Sequence, residues 1–483
     1  MLFRSENIDD KPALPKIIKF IRNEIGKELA NKGLESHVTG AGGLFADLFD
    51  AFGSINTKLL QTTLLVVAVI LIFVYRSPIL WILPLFTAGT ALGLATLLIY
   101  LLAKGGVIDL NGQTQGILDV LVLGAATDYA LLLISRYREE LHHHPSRYVA
   151  MRATLRGVIE PIVASGSTVI VGLMVLLLSD LSSNRALGPV GSIGIASAMV
   201  ASLTLLPALL MIFGRWIFWP KIPRFDDIDE KLSGIWSKVG KFVERRPKPI
   251  WITTAAILVI FAGFAPTLNT SGLSQSQAFT SKTDAVIGLE KLGEHFPSGE
   301  GNPVEIIVKS SDIAPVSAAL KSLPTVASVA PMTGFDPTTK QPTTEPVIVD
   351  GKALIYATLN VAADSPAAKK AIPGIRAAVK KVDPSILVGG QSAIGYDIDV
   401  ASRHDVRTII PIVLILIAII LGLLLRSILA AGILLVTVVL SFLATLGVCA
   451  VVFQHILGFA GADQSFPLFA FVDRKSTRLN SSH

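Results

Sequence analysis

Only one cysteine, Cys449, occurs in 483 residues. No intrachain disulfide is therefore possible, and because Cys449 lies inside an apolar run it reads as a small core residue. Charge is also scarce. Asp, Glu, Lys and Arg make up 16% of the chain and hydrophobic residues 51%, where a soluble protein carries about 25% charged residues. That shortage excludes an ordinary soluble enzyme of this length. Catalytic sets are missing as well: the long polar segment holds no Ser-His-Asp spacing, metal cluster or phosphate loop. GEGNP (Gly299 to Pro303) lacks the preceding strand and following helix of a dinucleotide fingerprint. No cofactor and no metal is expected, and nothing suggests an ATP-driven pump. Residues 1–57 are mostly polar and contain no signal-peptide core.

The chain instead holds apolar blocks about as long as a bilayer is thick, with a mean hydropathy of +0.62. Eight complete spans are predicted at 58–75, 79–103, 116–135, 161–178, 190–213, 250–266, 408–425 and 428–452, and a ninth begins near Phe466. The pI of about 9.2 does not point to nucleic acid, because the basic residues follow membrane topology. The loop Arg136 to Arg156 holds five Arg and two Glu, and Arg215 to Pro249 holds nine Lys or Arg against five acids. Short loops on the other side carry only Lys104 and Arg185. Lys and Arg accumulate in cytoplasmic loops, which places the segment Thr267 to Arg407 outside the cell membrane. In the basic loops, consecutive His142, His143 and His144 diverge around a helix and read as solvated. RWIFWPKIPR (Arg215 to Arg224) reads as an interfacial anchor.

Two ends do not follow this logic. DRKSTRLNSSH (Asp473 to His483) interrupts the apolar run SFPLFAFV and resembles the translation of a sequencing-library adapter; MLFRS (Met1 to Ser5) resembles its other strand. The genuine protein is expected to lie within about 6–472, open at both ends.

The outer segment alternates strands and helices. PVEIIVK (Pro303 to Lys309), VASVAPM, KALIYATLNV (Lys352 to Val361) and ILVGG read as strands. A helix is predicted around Val316 to Leu323 and an amphipathic one over Pro366 to Val382. The order βαββαβ is ferredoxin-like. KIIKFIRNEIGKELANKG and SHVTG repeat the end of this unit near the N-terminus. Val38 and Gly40 fall 350 residues before Val388 and Gly390, Asp47 falls 350 before Asp397, and Arg76-Ser77 falls 350 before Arg426-Ser427. Constant spacing implies a duplication, a domain followed by a bundle, with both copies truncated.

One charge stands out. Asp128 lies in GILDVLVLGAATDYALLLIS (Gly116 to Ser135), where a carboxylate costs at least ~2.5–3.5 kcal/mol. Tyr129 follows directly and brings a hydroxyl near it. Gly124, one turn earlier, leaves room for a neighbouring helix. Asp119, nine residues before Asp128, could feed protons inward or simply sit at the interface. From the residues alone, Asp128 is either a titrating group on an ion path or a structural Asp bonded to another helix.

VTGAGGLFADLFDAF, VYRSPILWILPL, LNGQTQGILDVLVLGAATDYALLLISRYREEL and LTLLPALL resemble the MMPL family of the RND superfamily across essentially all of 6–472. The resemblance implies a polytopic α-helical bundle with extracytoplasmic α+β porter domains in a bacterial inner membrane. It implies proton-motive-force-driven export of lipids or other hydrophobic compounds, with membrane lipids, substrate and protons as partners. It also implies that Asp128 and Tyr129 form a proton relay, completed by a second Asp-Tyr pair on the tenth span. The fifth span, SGSTVIVG (Ser165 to Gly172), lacks the Arg common there in the family. The expected segments are 6–57, the end of the first porter domain; 58–213, spans two to six, similar to a sterol-sensing domain; 214–249, a cytoplasmic linker; 250–266, span seven; 267–407, the second porter domain; and 408–472, spans eight, nine and the start of ten. Alternatives are a sterol- or lipid-sensing module and a protein-export accessory of the SecD/SecF branch. Substrate identity and oligomeric state are not legible.

Overall fold

A computed structural model of the chain describes residues 13–471, except 31, 76, 109–111, 224, 226–234, 271–272, 274–276, 278–281, 297–298, 300, 336–341, and 469. The adapter-like ends and Arg76 lie outside the described residues. The chain divides into two units, one formed by 1–53, 270–400 and 460–464, the other by 54–269, 401–459 and 465–483. The helices, in chain order, are α1 (Ala13–Ala30), α2 (Gly40–Tyr75), α3 (Ile82–Lys104), α4 (Gly112–His143), α5 (Arg147–Met174), α6 (Ser182–Phe213), α7 (Ile235–Arg245), α8 (Pro247–Gly263), α9 (Asp284–His295), α10 (Ile313–Lys321), α11 (Pro366–Lys380), α12 (Gln391–Leu425) and α13 (Ile428–Val451). The strands are β1 (Val304–Lys309), β2 (Val326–Pro331), β3 (Thr333–Phe335), β4 (Pro342–Pro346), β5 (Ile348–Val349), β6 (Lys352–Leu359) and β7 (Leu387–Gly389).

In the first unit β1, α10, β2, β6, α11 and β7 realise the βαββαβ order. The sheet runs β2-β6-β1-β7 and is antiparallel throughout, which is the ferredoxin-like arrangement. Alternation does the sorting. Val304, Ile306 and Val308 of β1 and Ala353, Ile355 and Ala357 of β6 face inward, against Ile372, Ile375 and Val379 of α11 and Val316 and Leu320 of α10. Ser365 caps α11 by accepting the Ala368 N–H at 3.2 Å, and Pro366 opens the helix. The hairpin β3-β4 is inserted between β2 and β6.

The repeat extends to side chains. Gly40 and Gly390 share a left-handed backbone, with φ of 80° and 88°, where a Cβ is disfavoured. Each opens onto a long helix, α2 or α12. Arg22 of α1 bonds Asp47 at 2.5 Å and the Val38 carbonyl at 3.2 Å. Arg376 of α11 bonds Asp397 at 2.6 and 2.7 Å and the Val388 carbonyl at 3.4 Å. Ser77 accepts the N–H of Leu80 in the turn before α3 and Ser427 caps α13 by accepting the N–H of Ala430, each at 3.3 Å. SHVTG differs from its counterpart: residues 34–39 form no strand, whereas 387–389 form β7. The first-copy clamp is also covered by α9. Asp284 accepts from the Val38 N–H at 3.1 Å, meets His37 at 2.8 Å and pairs with Arg22 at 2.8 Å, while Asp47 accepts the Ala285 N–H at 3.1 Å. Burial alone would raise the Asp47 carboxyl, but the Arg22 guanidinium and the Ala285 N–H outweigh it and hold it below the usual carboxylate range.

Seven described helices are long and apolar enough to cross a membrane, and Leu60–Tyr75, the end of α2, is a shorter apolar helix. This is a multi-pass membrane protein. Seven of the eight expected spans are met by these helices and the one at 58–75 by the shorter segment, and several helices outrun the expected bounds. The predicted loop from Arg136 is helix as far as His143, and only residues 144–146 separate α4 from α5. Ion pairs explain the extension: Arg136 meets Glu139 at 2.7 Å and Glu140 at 2.9 Å. Arg215 then closes the end of α4 by donating to the His144 carbonyl at 2.7 Å. Trp216 and Trp219 are exposed while Ile217 and Phe218 between them are buried.

Small residues on α6 let α4 and α5 close on it. A Cβ on Gly188 would lie 2.9 Å from the Leu173 carbonyl, and one on Gly194 would lie 2.6 Å from Leu118 and 2.7 Å from Val122. Ile409, Val413, Ile417 and Leu421 form the buried stripe of α12, at the four-residue spacing of one helix face. In α13, a Cβ on Gly447 would overlap the Phe261 carbonyl of α8, so these two helices cross at backbone contact. No residue of α8 is buried.

Candidate functional site: the Asp128 face of α4

Successive residues of a helix leave it about 100° apart, so adjacency along the chain does not make a contact. Tyr129 is 2% exposed and enters the junction of α4, α5 and α6. A Cβ on Gly166 would lie 3.1 Å from the Tyr129 hydroxyl and would collide with Met199; the glycine makes room for the phenol. Ser197 and Ser202 put buried hydroxyls on α6 that have no hydrogen-bond partner among the described residues.

Asp128 leaves the other way. It is half-buried and shares a face with Ile117, Val120, Gly124 and Leu131, all half-buried, between fully buried neighbours. Among the described residues no hydrogen bond or ion pair reaches its carboxylate, and none joins it to Tyr129. A Cβ on Gly124 would meet nothing within 4 Å, so no described helix occupies the space it leaves. Asp119 is half-buried on the same helix, about 14 Å away at 1.5 Å per residue. The arrangement is an uncapped carboxylate on an open stripe of a membrane helix, backed by a buried phenol on the opposite side.

A second polar cluster was not legible in the sequence. Asp405 of α12 is 1% exposed. It accepts hydrogen bonds from the Ser179 hydroxyl, from the Asp180 N–H at 2.9 Å and from Asn184 Nδ2 at 3.1 Å. His404 meets Asp180 at 2.8 Å. Asp180, His404 and Asp405 bring possible ligand atoms within 4.8 Å of one another, but both Asp405 oxygens are already engaged by protein donors. The set ties α12 to the α5–α6 turn. His142, His143 and His144 are not part of it.

A model of the MMPL family matches residues 9–250 and 277–472. The chain belongs to the MMPL family. This MMPL chain is 44% identical over 449 residues to the membrane protein ActII-3 of Streptomyces coelicolor, covering 93% of this chain and 61% of that one. It is 33% identical over 495 residues to the apo-petrobactin exporter of Bacillus anthracis, covering 97% and 64%. It is 28% identical over 315 residues to the sulfolipid-1 exporter MmpL8 of Mycobacterium tuberculosis, covering 65% and 28%. The chain thus spans about three fifths of the length of the first two relatives, and its apolar helices and ferredoxin-like domain are the corresponding part of an MMPL fold.

Proposed function

We propose that the longer protein represented by this chain is a proton-motive-force-driven exporter of lipids or other hydrophobic compounds, and that Asp128 carries the proton. The observation that supports this most directly is the open, half-buried Asp128 carboxylate inside a membrane helix. A structural Asp would be bonded to a neighbour, as Asp405 is; Asp128 has no such bond among the described residues. A membrane carboxylate free to titrate, facing a cavity or an incoming partner, is how proton pathways are built. The open stripe around Gly124 is where a further helix with a second charged pair would close on it. Tyr129 lines the rear of the site, and Asp119 lies on the way toward one end of α4. Export as the activity is supported by the two relatives named as exporters, and a lipid substrate by MmpL8. The placing of Arg and Lys supports an inner-membrane orientation with the ferredoxin-like domain, 267–407, outside as a porter domain, and with the 214–249 linker in the cytoplasm.

The test is Asp128→Asn in the full-length protein in energised vesicles. The substitution keeps the shape and removes the titrating group. Substrate-coupled proton movement should vanish while the protein stays folded; transport at the unsubstituted rate would refute the assignment. Tyr129→Phe should reduce transport less, because its hydroxyl is not bonded to the carboxylate.

A further inference from the structure

The polar cluster at the α5–α6 turn holds more than its tie to α12 uses. Asp180, His404 and Asp405 each offer one ligand atom, and the three atoms lie within 4.8 Å of one another. Asp180 and His404 are exposed while Asp405 is buried, so the set opens to water on one side and rests on the bundle on the other. A carboxylate has about four lone-pair positions. Among the described residues three donors reach Asp405: the Ser179 hydroxyl, the Asp180 N–H and Asn184 Nδ2. One position is left over.

Asn184 adds an unsatisfied atom. The residue is fully buried, and its amide head lies against Asp405, with Nδ2 3.1 Å from Oδ2. Oδ1 of the same amide has no hydrogen-bond partner among the described residues. Buried polar atoms are normally satisfied, and one that is not calls for a water or an ion. Arg185, the next residue of α6, does not answer it: its Nε and Nη2 hold the Ser179 carbonyl at 3.2 and 3.0 Å. His404 is held at both nitrogens. Nδ1 meets Asp180 at 2.8 Å, and Nε2 lies 3.5 Å from the Thr408 hydroxyl one turn further along α12. A metal-bound imidazole keeps its other N–H on such a partner.

We propose that this cluster binds a divalent transition-metal cation through Asp180, His404 Nδ1, Asn184 Oδ1 and the remaining position on Asp405. The cation replaces the proton on His404 Nδ1. A neutral ring then carries its proton on Nε2, facing Thr408, and a charged ring releases one. Three oxygens and one imidazole nitrogen suit Zn2+ or Mn2+ better than Mg2+ or Ca2+, which take oxygen alone. Two ligands come from the α5–α6 turn and the start of α6 and two from α12, so the ion staples the turn to α12. The inference does not rest on the proposed export activity.

The test uses the full-length protein in detergent, stripped with chelator and dialysed against Zn2+ or Mn2+, with bound metal counted per chain. One equivalent should bind, and Asp180→Asn and His404→Ala should each weaken it at least about tenfold. Both side chains are exposed, so neither change endangers the fold. Mn2+ at the site should show coupling to an imidazole nitrogen by pulsed electron paramagnetic resonance, lost in His404→Ala. Replacing His142, His143 and His144 together by Ala should leave the equivalent in place. No bound equivalent, or unchanged affinity in Asp180→Asn and His404→Ala, overturns the proposal. So does loss of the equivalent with the three-histidine replacement, or its displacement by equimolar Mg2+ or Ca2+.

Discussion

The Arg22–Asp47 and Arg376–Asp397 pairs are one interaction found twice, in two degrees of burial. Both guanidiniums also hold the carbonyl two residues before a left-handed glycine. Among the described residues only the first is roofed by a helix. The difference teaches that the pair itself does not set its worth. A pair sealed from water becomes costly to break, since the surviving partner stays buried and unpaired, while an exposed pair is nearly free to lose.

The largest expected effect follows from breaking the covered pair. Asp47→Ala leaves Arg22 paired with Asp284 but orphans the Ala285 N–H, and should cost about 1–3 kcal/mol of local stability, read as faster amide exchange at Val38 and Ala285 in the detergent-solubilised protein. Gly288→Ala, whose Cβ would sit 2.9 Å from the Cβ of both His37 and Thr39, should cost about 1–3 kcal/mol through overpacking, whereas Gly293→Ala in the same helix, where a Cβ meets nothing within 4 Å, should gain about 0.5–1 kcal/mol. Equal effects at the two glycines would mean that α9 does not seat as described. Acid should act on the covered pair in one direction. The Asp47 carboxyl is depressed by Arg22, so its contribution is complete above the ordinary carboxylate range and disappears as pH falls through the folded-state value. Ala285 protection, corrected for intrinsic exchange, should therefore be flat from about pH 7 to 5 and fall below about 4; a loss near neutrality would assign the sensitivity to another group. Smallest, Asp397→Asn should change stability by only about 0.2–1 kcal/mol in this chain. A cost as large as that of Asp47→Ala would show that the second pair is buried in solution.

Much of this was written locally. The βαββαβ order showed because β1 alternates strictly and β6 alternates from Lys352 to Ala357, and because α11 carries its charges on one face. The spans showed because apolar length is a one-dimensional property. The helix ends did not, because Arg136–Glu140 and Arg215–His144 are pairings that an apolar window does not see. The repeat register was legible at Gly40, Asp47 and Ser77. The equivalence of Arg22 with Arg376 was hidden, since these two lie 354 residues apart: Arg22 stands eight residues before the end of α1 and Arg376 four before the end of α11. Asp128 announced itself by its surroundings, but the divergence of Asp128 and Tyr129 follows from helix rotation. Asp405 was invisible because it stands in a polar run, RHDVR, and its partners Ser179 and Asn184 lie more than 200 residues away. The only local hint was one acid at the edge of a span.

The crossing of Gly447 on the Phe261 carbonyl also has a meaning in time. Some 184 residues separate the end of α8 from that glycine, and ribosomes add about 5–20 residues per second. For roughly 10–40 seconds of synthesis α8 therefore stands in the bilayer without the helix it will rest against. Among the described helices α8 buries no residue, and the run from Ile250 to Phe261, apolar but for Thr253 and Thr254, with the Thr253 hydroxyl donating to the Pro249 carbonyl at 2.8 Å, suits a segment that waits in lipid for its partner.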